Sequence, residues 1–98
     1  MDEPNKWMIL KCGDTYRVFA TWSGGYLDSD SYKLNSGIES YKEEGEYYLF
    51  LGYSGSIYKC RKTSYGTTGY GSFVLADWGD KVVHLKGVEE LPKDIKKL

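Results

Sequence analysis

Residues 37–62, GIESYKEEGEYYLFLGYSGSIYKCRK, decide the fold. Three apolar and aromatic runs are separated by Glu44-Gly45 and Ser54-Gly55. X-Gly pairs suit tight hairpins, because primed turns need φ > 0. Reading each pair as a two-residue loop sets Tyr41 opposite Tyr48, Glu39 opposite Phe50 and Ile38 opposite Leu51. On the next strand, Tyr48 faces Arg61, Phe50 faces Lys59, Leu49 faces Cys60 and Leu51 faces Tyr58. Side chains alternate between the two faces of a sheet. One face then collects Ile38, Ser40, Leu49, Leu51, Tyr58 and Cys60 and is expected to be core. The other collects Glu39, Tyr41, Tyr48, Phe50, Lys59 and Arg61 and is expected to be exposed. A slip of one residue exchanges the faces.

Outward from this meander the pattern continues. Proline is scarce and glycines recur at turn spacing. Further strands are expected at Lys6–Cys12, Thr15–Trp22, Ser31–Asn35, Ser72–Asp77 and Lys81–Lys86. Breaks fall at Gly13-Asp14, Gly24-Gly25, Gly66–Gly71 and Gly79-Asp80. The expected fold is all-β: one small domain, a strongly twisted antiparallel sheet or small barrel, with SH3-like and OB-like topologies both open. The domain spans residues 1–87. Residues 88–98, charged and containing Pro92, form a C-terminal tail or short helix.

The net charge of −1 excludes a globally basic nucleic-acid binder. Its distribution is uneven. Residues 26–46 carry Asp28, Asp30, Glu39, Glu43, Glu44 and Glu46 against Lys33 and Lys42. Residues 47–76 carry Lys59, Arg61 and Lys62, no acid, and six tyrosines. No stretch approaches the ~20 apolar residues of a membrane helix. The run Trp7–Leu10 is too short for a signal peptide, and two cysteines are too few for a disulfide framework. The expectation is a cytoplasmic protein, monomer or homodimer, in which Cys12 and Cys60 are small core residues.

Catalytic and metal motifs are weak. His84 is the only histidine, and neither a Cys60/His84 nor a Ser/His pair has a flanking signature. Asp28-Ser29-Asp30 has the opening spacing of a calcium loop, but the required Gly and bidentate Glu are missing. A zinc site from Cys12, Cys60 and His84 lacks a fourth ligand. Asp28, Asp30, Glu39 and Glu43 offer no favoured pair for glycoside hydrolysis. YGTTGYG, residues 65–71, has the glycines of a phosphate loop. Phe73-Val74-Leu75 after it reads as a strand, whereas a phosphate loop opens a helix. A simple glycine nest for an anion remains open. No enzyme, cofactor or metal is expected.

The face with Tyr41, Tyr48, Phe50, Lys59 and Arg61, extended by Tyr65 and Tyr70, is the candidate binding surface. Aromatics interleaved with cations serve protein interfaces and also stack single-stranded nucleic acid. The strings YKLNSGI (32–38), YYLFLGYSGSIYKC (47–60) and YGTTGYG (65–71) resemble small accessory proteins of tailed bacteriophages, a group with no established activity. The resemblance implies an inhibitor that binds and blocks a host or defence protein in the host cytoplasm. A nucleotide or single-stranded nucleic-acid binder is the alternative.

Overall fold

The computed structural model describes residues 1–24 and 30–98. Gly25 of the Gly24-Gly25 break, and Asp28, lie outside the described residues. The fold is mostly β, with two four-stranded sheets where one was expected. The strands are β1 (Lys6–Cys12), β2 (Thr15–Trp22), β3 (Ser31–Leu34), β4 (Ile38–Glu44), β5 (Tyr47–Gly52), β6 (Ile57–Arg61), β7 (Val82–His84) and β8 (Lys96–Lys97). Sheet I runs β3-β2-β1-β7 and sheet II runs β6-β5-β4-β8. One helix, α1 (Gly69–Trp78), lies between β6 and β7 in sequence.

Strands β1 and β2 explain the layering. Trp-Met-Ile-Leu and Val-Phe-Ala are unbroken apolar runs, as expected for strands covered on both faces. Trp7, Ile9, Val18 and Ala20 point inward and meet Ile38, Phe50, Tyr58 and Cys60 of sheet II. Met8, Leu10 and Phe19 point outward and meet Leu75 of α1. The order is therefore helix, sheet I, core, sheet II.

The strand expected at Ser72–Asp77 is instead α1. Thr68 caps it, its Oγ1 accepting from Gly71 N at 3.1 Å. Gly71 sits against sheet I so closely that a Cβ there would meet Thr21 Cγ2 at 2.9 Å and Phe19 Cε2 at 3.2 Å. A short β-branched and aromatic run misled the reading, because periodicity cannot separate a buried helix turn from a strand.

Segment 88–98 is more than a tail. Val88–Glu90 forms a single 3-10 turn, and Val88, Leu91 and Ile95 pack against the inter-sheet core. Then β8 pairs in parallel with β4, and Leu98 N donates to Tyr41 O at 2.7 Å. At the opposite edge of sheet II, Asp2 caps β6: Asp2 N donates to Ile57 O at 3.0 Å and Lys59 N to Asp2 O at 2.7 Å. Both edges of sheet II are thus partly covered, which blunts edge-to-edge pairing. No helix among the described residues is long and apolar enough to cross a membrane.

Candidate functional site

The meander of β4, β5 and β6 has a different register from the one expected. The first loop is Gly45-Glu46, with Gly45 at φ 61°, so Glu44 pairs with Tyr47 and Tyr41 with Phe50. That two-residue slide keeps Tyr41, Tyr48 and Phe50 on one face. The second loop has three residues, Tyr53-Ser54-Gly55. Gly55 N donates to Gly52 O at 2.9 Å and Gly52 N to Ser56 O at 2.9 Å, with Gly55 at φ 92°. This is the turn-plus-left-handed-residue form of a three-residue loop. An odd loop changes parity, so Tyr48 pairs with Cys60 and Phe50 with Tyr58. A bulge between Ile38 and Ser40 then returns Ile38 to the inner face.

The expected faces are therefore exchanged along β5. Phe50 is fully buried against Trp7, with ring centroids 5.3 Å apart, and stacks on Tyr41 at 5.6 Å. Tyr41 and Tyr48 are half-buried at the rim of the same core. Leu49 and Leu51, expected inside, lie outside with Lys59 and Ile57 opposite them. Ile38, Tyr58 and Cys60 are core residues as expected.

Of the seven candidate binding residues, only Lys59 and Arg61 share the outer face of sheet II. They flank Tyr47, not Tyr48: Lys59 Nζ lies 4.4 Å and Arg61 Cζ 4.7 Å from its ring centroid. Tyr65 is a structural tie. Its hydroxyl donates to Leu85 O at 2.6 Å and accepts from Ile9 N at 3.1 Å, and its ring meets Trp7 edge-on at 4.8 Å. Burial pushes its phenol up. Tyr70 lies on the far side of the molecule, in the first turn of α1.

The outer face of sheet II thus carries Tyr47, Leu49, Leu51, Ile57, Lys59 and Arg61. Leu49 and Leu51 are half-buried and Ile57 is exposed, although α1 covers the equivalent face of sheet I. A shallow groove of about 330 Å³ runs over Leu49, Leu51 and Ile57, flanked by Met1 and Leu98. Arg61 pairs with Glu46 at 3.3 Å and Lys42 with Glu44 at 3.2 Å. Lys59 has no ion pair among the described residues. Tyr47, Leu49 and Leu51 were missed as site residues. Their i, i+2 spacing was visible, but the length of the second loop decides which way they point.

Other candidates separate in space. Cys60 is buried between the sheets, where burial pushes its thiol up. His84 is exposed on the outer face of sheet I, opposite Leu10, so the two do not meet. Ser72 and Thr67 line the groove that His84 borders, but no acidic residue lines it to orient the imidazole. Cys12 is a free, partly exposed thiol, raised by burial and lowered in part by Arg17. Glu43 sits between Lys62 and Lys97, with Lys97 Nζ at 3.0 Å, and their hydrogen bonds hold its carboxyl below the usual range. Among the described residues, no three His, Cys, Asp or Glu side chains are grouped to hold a metal. The glycine loop does open a helix, yet Thr68 already takes Gly71 N and Ser72 N donates to Thr68 O at 2.9 Å.

No family model matches the chain, and neither the curated proteins nor the solved structures contain a significant match.

Proposed function

We propose that the chain is a non-catalytic binding protein whose outer sheet II face docks a protein partner. The observation that carries this reading is one uncovered sheet face with an apolar floor of Leu49, Leu51 and Ile57. Beside that floor stands an aromatic anchor, Tyr47, braced by Lys59 and Arg61. A desolvated apolar centre beside Tyr and Arg is the composition of interface hot spots. Following the resemblance to tailed-phage accessory proteins, the partner is a host or defence protein that the chain occupies and blocks. Nucleic-acid binding has less support. Two of the face's cations are already paired with Glu44 and Glu46, and the Tyr47 ring is already in contact with Lys59 and Arg61.

The test is affinity capture from host lysate, with and without nuclease, using wild type, Leu49→Glu and Ile57→Glu. The proposal expects a defined protein retained in both lysates and lost by both variants, which should weaken binding by ~2 kcal/mol or more. Capture that nuclease abolishes would move the function to nucleic acid. So would oligonucleotide binding that falls steeply with salt. Capture indifferent to both variants would move the site elsewhere.

A further inference from the structure

Helix α1 is apolar on both sides. Its inner positions, Gly71 and Leu75, are buried on sheet I. Its outer positions should then be polar, as on an ordinary surface helix. Instead Phe73 stands 79% exposed, with Gly69, Ser72 and Ala76 exposed around it at helical spacing. Residues 63–76 carry no charge at all. The ridge Gly69–Phe73–Asp77 ends in the only charged residue of the helix.

Directly beside Phe73 lies an open depression of about 500 Å³. Ser72 and Ala76, which flank Phe73, form one wall; Met8, Thr67, Leu75 and His84 are among the residues that line the remainder. A projecting ring and a hollow lined by no Lys, Arg, Asp or Glu, with His84 at its border, therefore share the same two residues. We infer that this face is the interface between two copies of the chain, related by a two-fold axis, with Phe73 of each seated in the groove of the other.

Three features favour a second copy over another occupant. An isologous contact needs a self-complementary surface, and knob and hollow side by side on one face provide it. Among the described residues, neither the helix nor the groove offers a Lys or Arg to a phosphate or an anionic lipid surface, and Asp77 is the one charge of the helix. Charge complementarity then sets the orientation. In an antiparallel pairing centred on Phe73, Asp77 lies opposite Gly69 of the other copy, at a helix N-terminus whose first turn holds no acid. A carboxylate is favoured at that end of the helix dipole. A standard interface takes about 800 Å² from each partner, a modest share of a 5970 Å² surface. The exposed Tyr70 and Tyr32, at 39% and 37%, extend the patch beyond the helix.

Sedimentation equilibrium of the full chain from about 1 µM to 1 mM tests this. Wild type should show a reversible monomer–dimer equilibrium within that range. Phe73→Ser and Phe73→Glu should each weaken it by a hundredfold or more, with circular dichroism and melting unchanged because the ring is exposed. Asp77→Lys should weaken it several-fold by placing a cation against the other helix's N-terminus. Leu49→Glu, on the opposite side of the molecule, should leave it unaltered. A chain that stays monomeric at 1 mM overturns the inference, as does a dimer that both Phe73 variants leave intact.

Discussion

Replacing Phe50 and its neighbours on β5 tests the register on which the site rests. Phe50 is fully buried and makes ring pairs with Trp7 at 5.3 Å, Tyr41 at 5.6 Å and Tyr48 at 6.0 Å. Truncating such a residue to alanine costs ~3–5 kcal/mol through lost burial and an unfilled cavity. At ~4–8 °C per kcal/mol for a domain of this size, the melting temperature should fall by about 12–40 °C. Total stability is only ~5–15 kcal/mol, so Phe50→Ala could leave the chain largely unfolded. Phe50→Leu keeps most of the apolar volume and removes the three ring pairs, each ~0.5–1.5 kcal/mol, so a loss of ~1.5–4.5 kcal/mol is expected. Leu49→Ala and Leu51→Ala remove half-exposed side chains and should each cost about 1 kcal/mol, a fraction of full leucine burial. Urea unfolding followed by tryptophan fluorescence measures all four, since Trp7 lies against Phe50. Midpoints should move at constant slope. If Leu49→Ala or Leu51→Ala destabilises as much as Phe50→Leu or more, β5 faces the other way, and the candidate surface dissolves with it.

Two further outcomes follow from titrating groups. Glu43 is held below the usual carboxylate range by Lys62 and Lys97, so its contribution is present above the unfolded-state value and is lost as pH falls through the folded one. NMR contacts between β8 and β4, including the Leu98–Tyr41 hydrogen bond, should weaken below about pH 4, and Glu43→Gln should weaken them at neutral pH; contacts unchanged at pH 2 would show that the ion pair does not hold β8. Cys60 is fully buried with its thiol pushed up, whereas Cys12 is partly exposed. A thiol reagent at pH 8 should therefore label Cys12 alone until denaturant is added, and rapid labelling of both would contradict the packed inter-sheet core.

Much of the architecture was legible because it rests on local signals. The apolar runs Trp7–Leu10 and Val18–Ala20, the glycine turns at Gly13 and Gly45, and the three strands of residues 38–61 all mark β structure directly. What was not legible depends on quantities that sequence pattern does not carry. The second hairpin differs from a two-residue turn by one residue, Tyr53, and that single residue turns β5 over. Leu-X-Leu and Tyr-X-Phe are equally good core stripes, so hydrophobicity could not arbitrate between them. Helix α1 was hidden for a related reason. A helix apolar on both sides has no amphipathic signature, and Gly69 and Gly71 argue locally against helix. Its formation rests on the Thr68 cap, a local signal, and on Leu75 packing over Phe19, which is a tertiary one.

The layering bears on both proposed contacts. Sheet I is covered twice, by sheet II inside and by α1 outside, so its apolar runs are fully accounted for. Among the described residues, sheet II is covered once, and α1 is covered once. A sheet with one solvated face normally alternates apolar and polar residues along each strand, yet β5 reads Tyr-Tyr-Leu-Phe-Leu with no polar break. That is the pattern of a strand covered on both faces, found on a strand covered on one. Helix α1 repeats the discrepancy with Phe73. In both places the described residues leave apolar side chains without a covering layer, which is what the two proposed contacts would supply. Two incomplete layers on opposite sides permit two simultaneous contacts. A copy of the chain on α1 therefore leaves the Tyr47–Ile57 face free, and a dimer would present that face twice, raising avidity for any target with repeated or neighbouring sites.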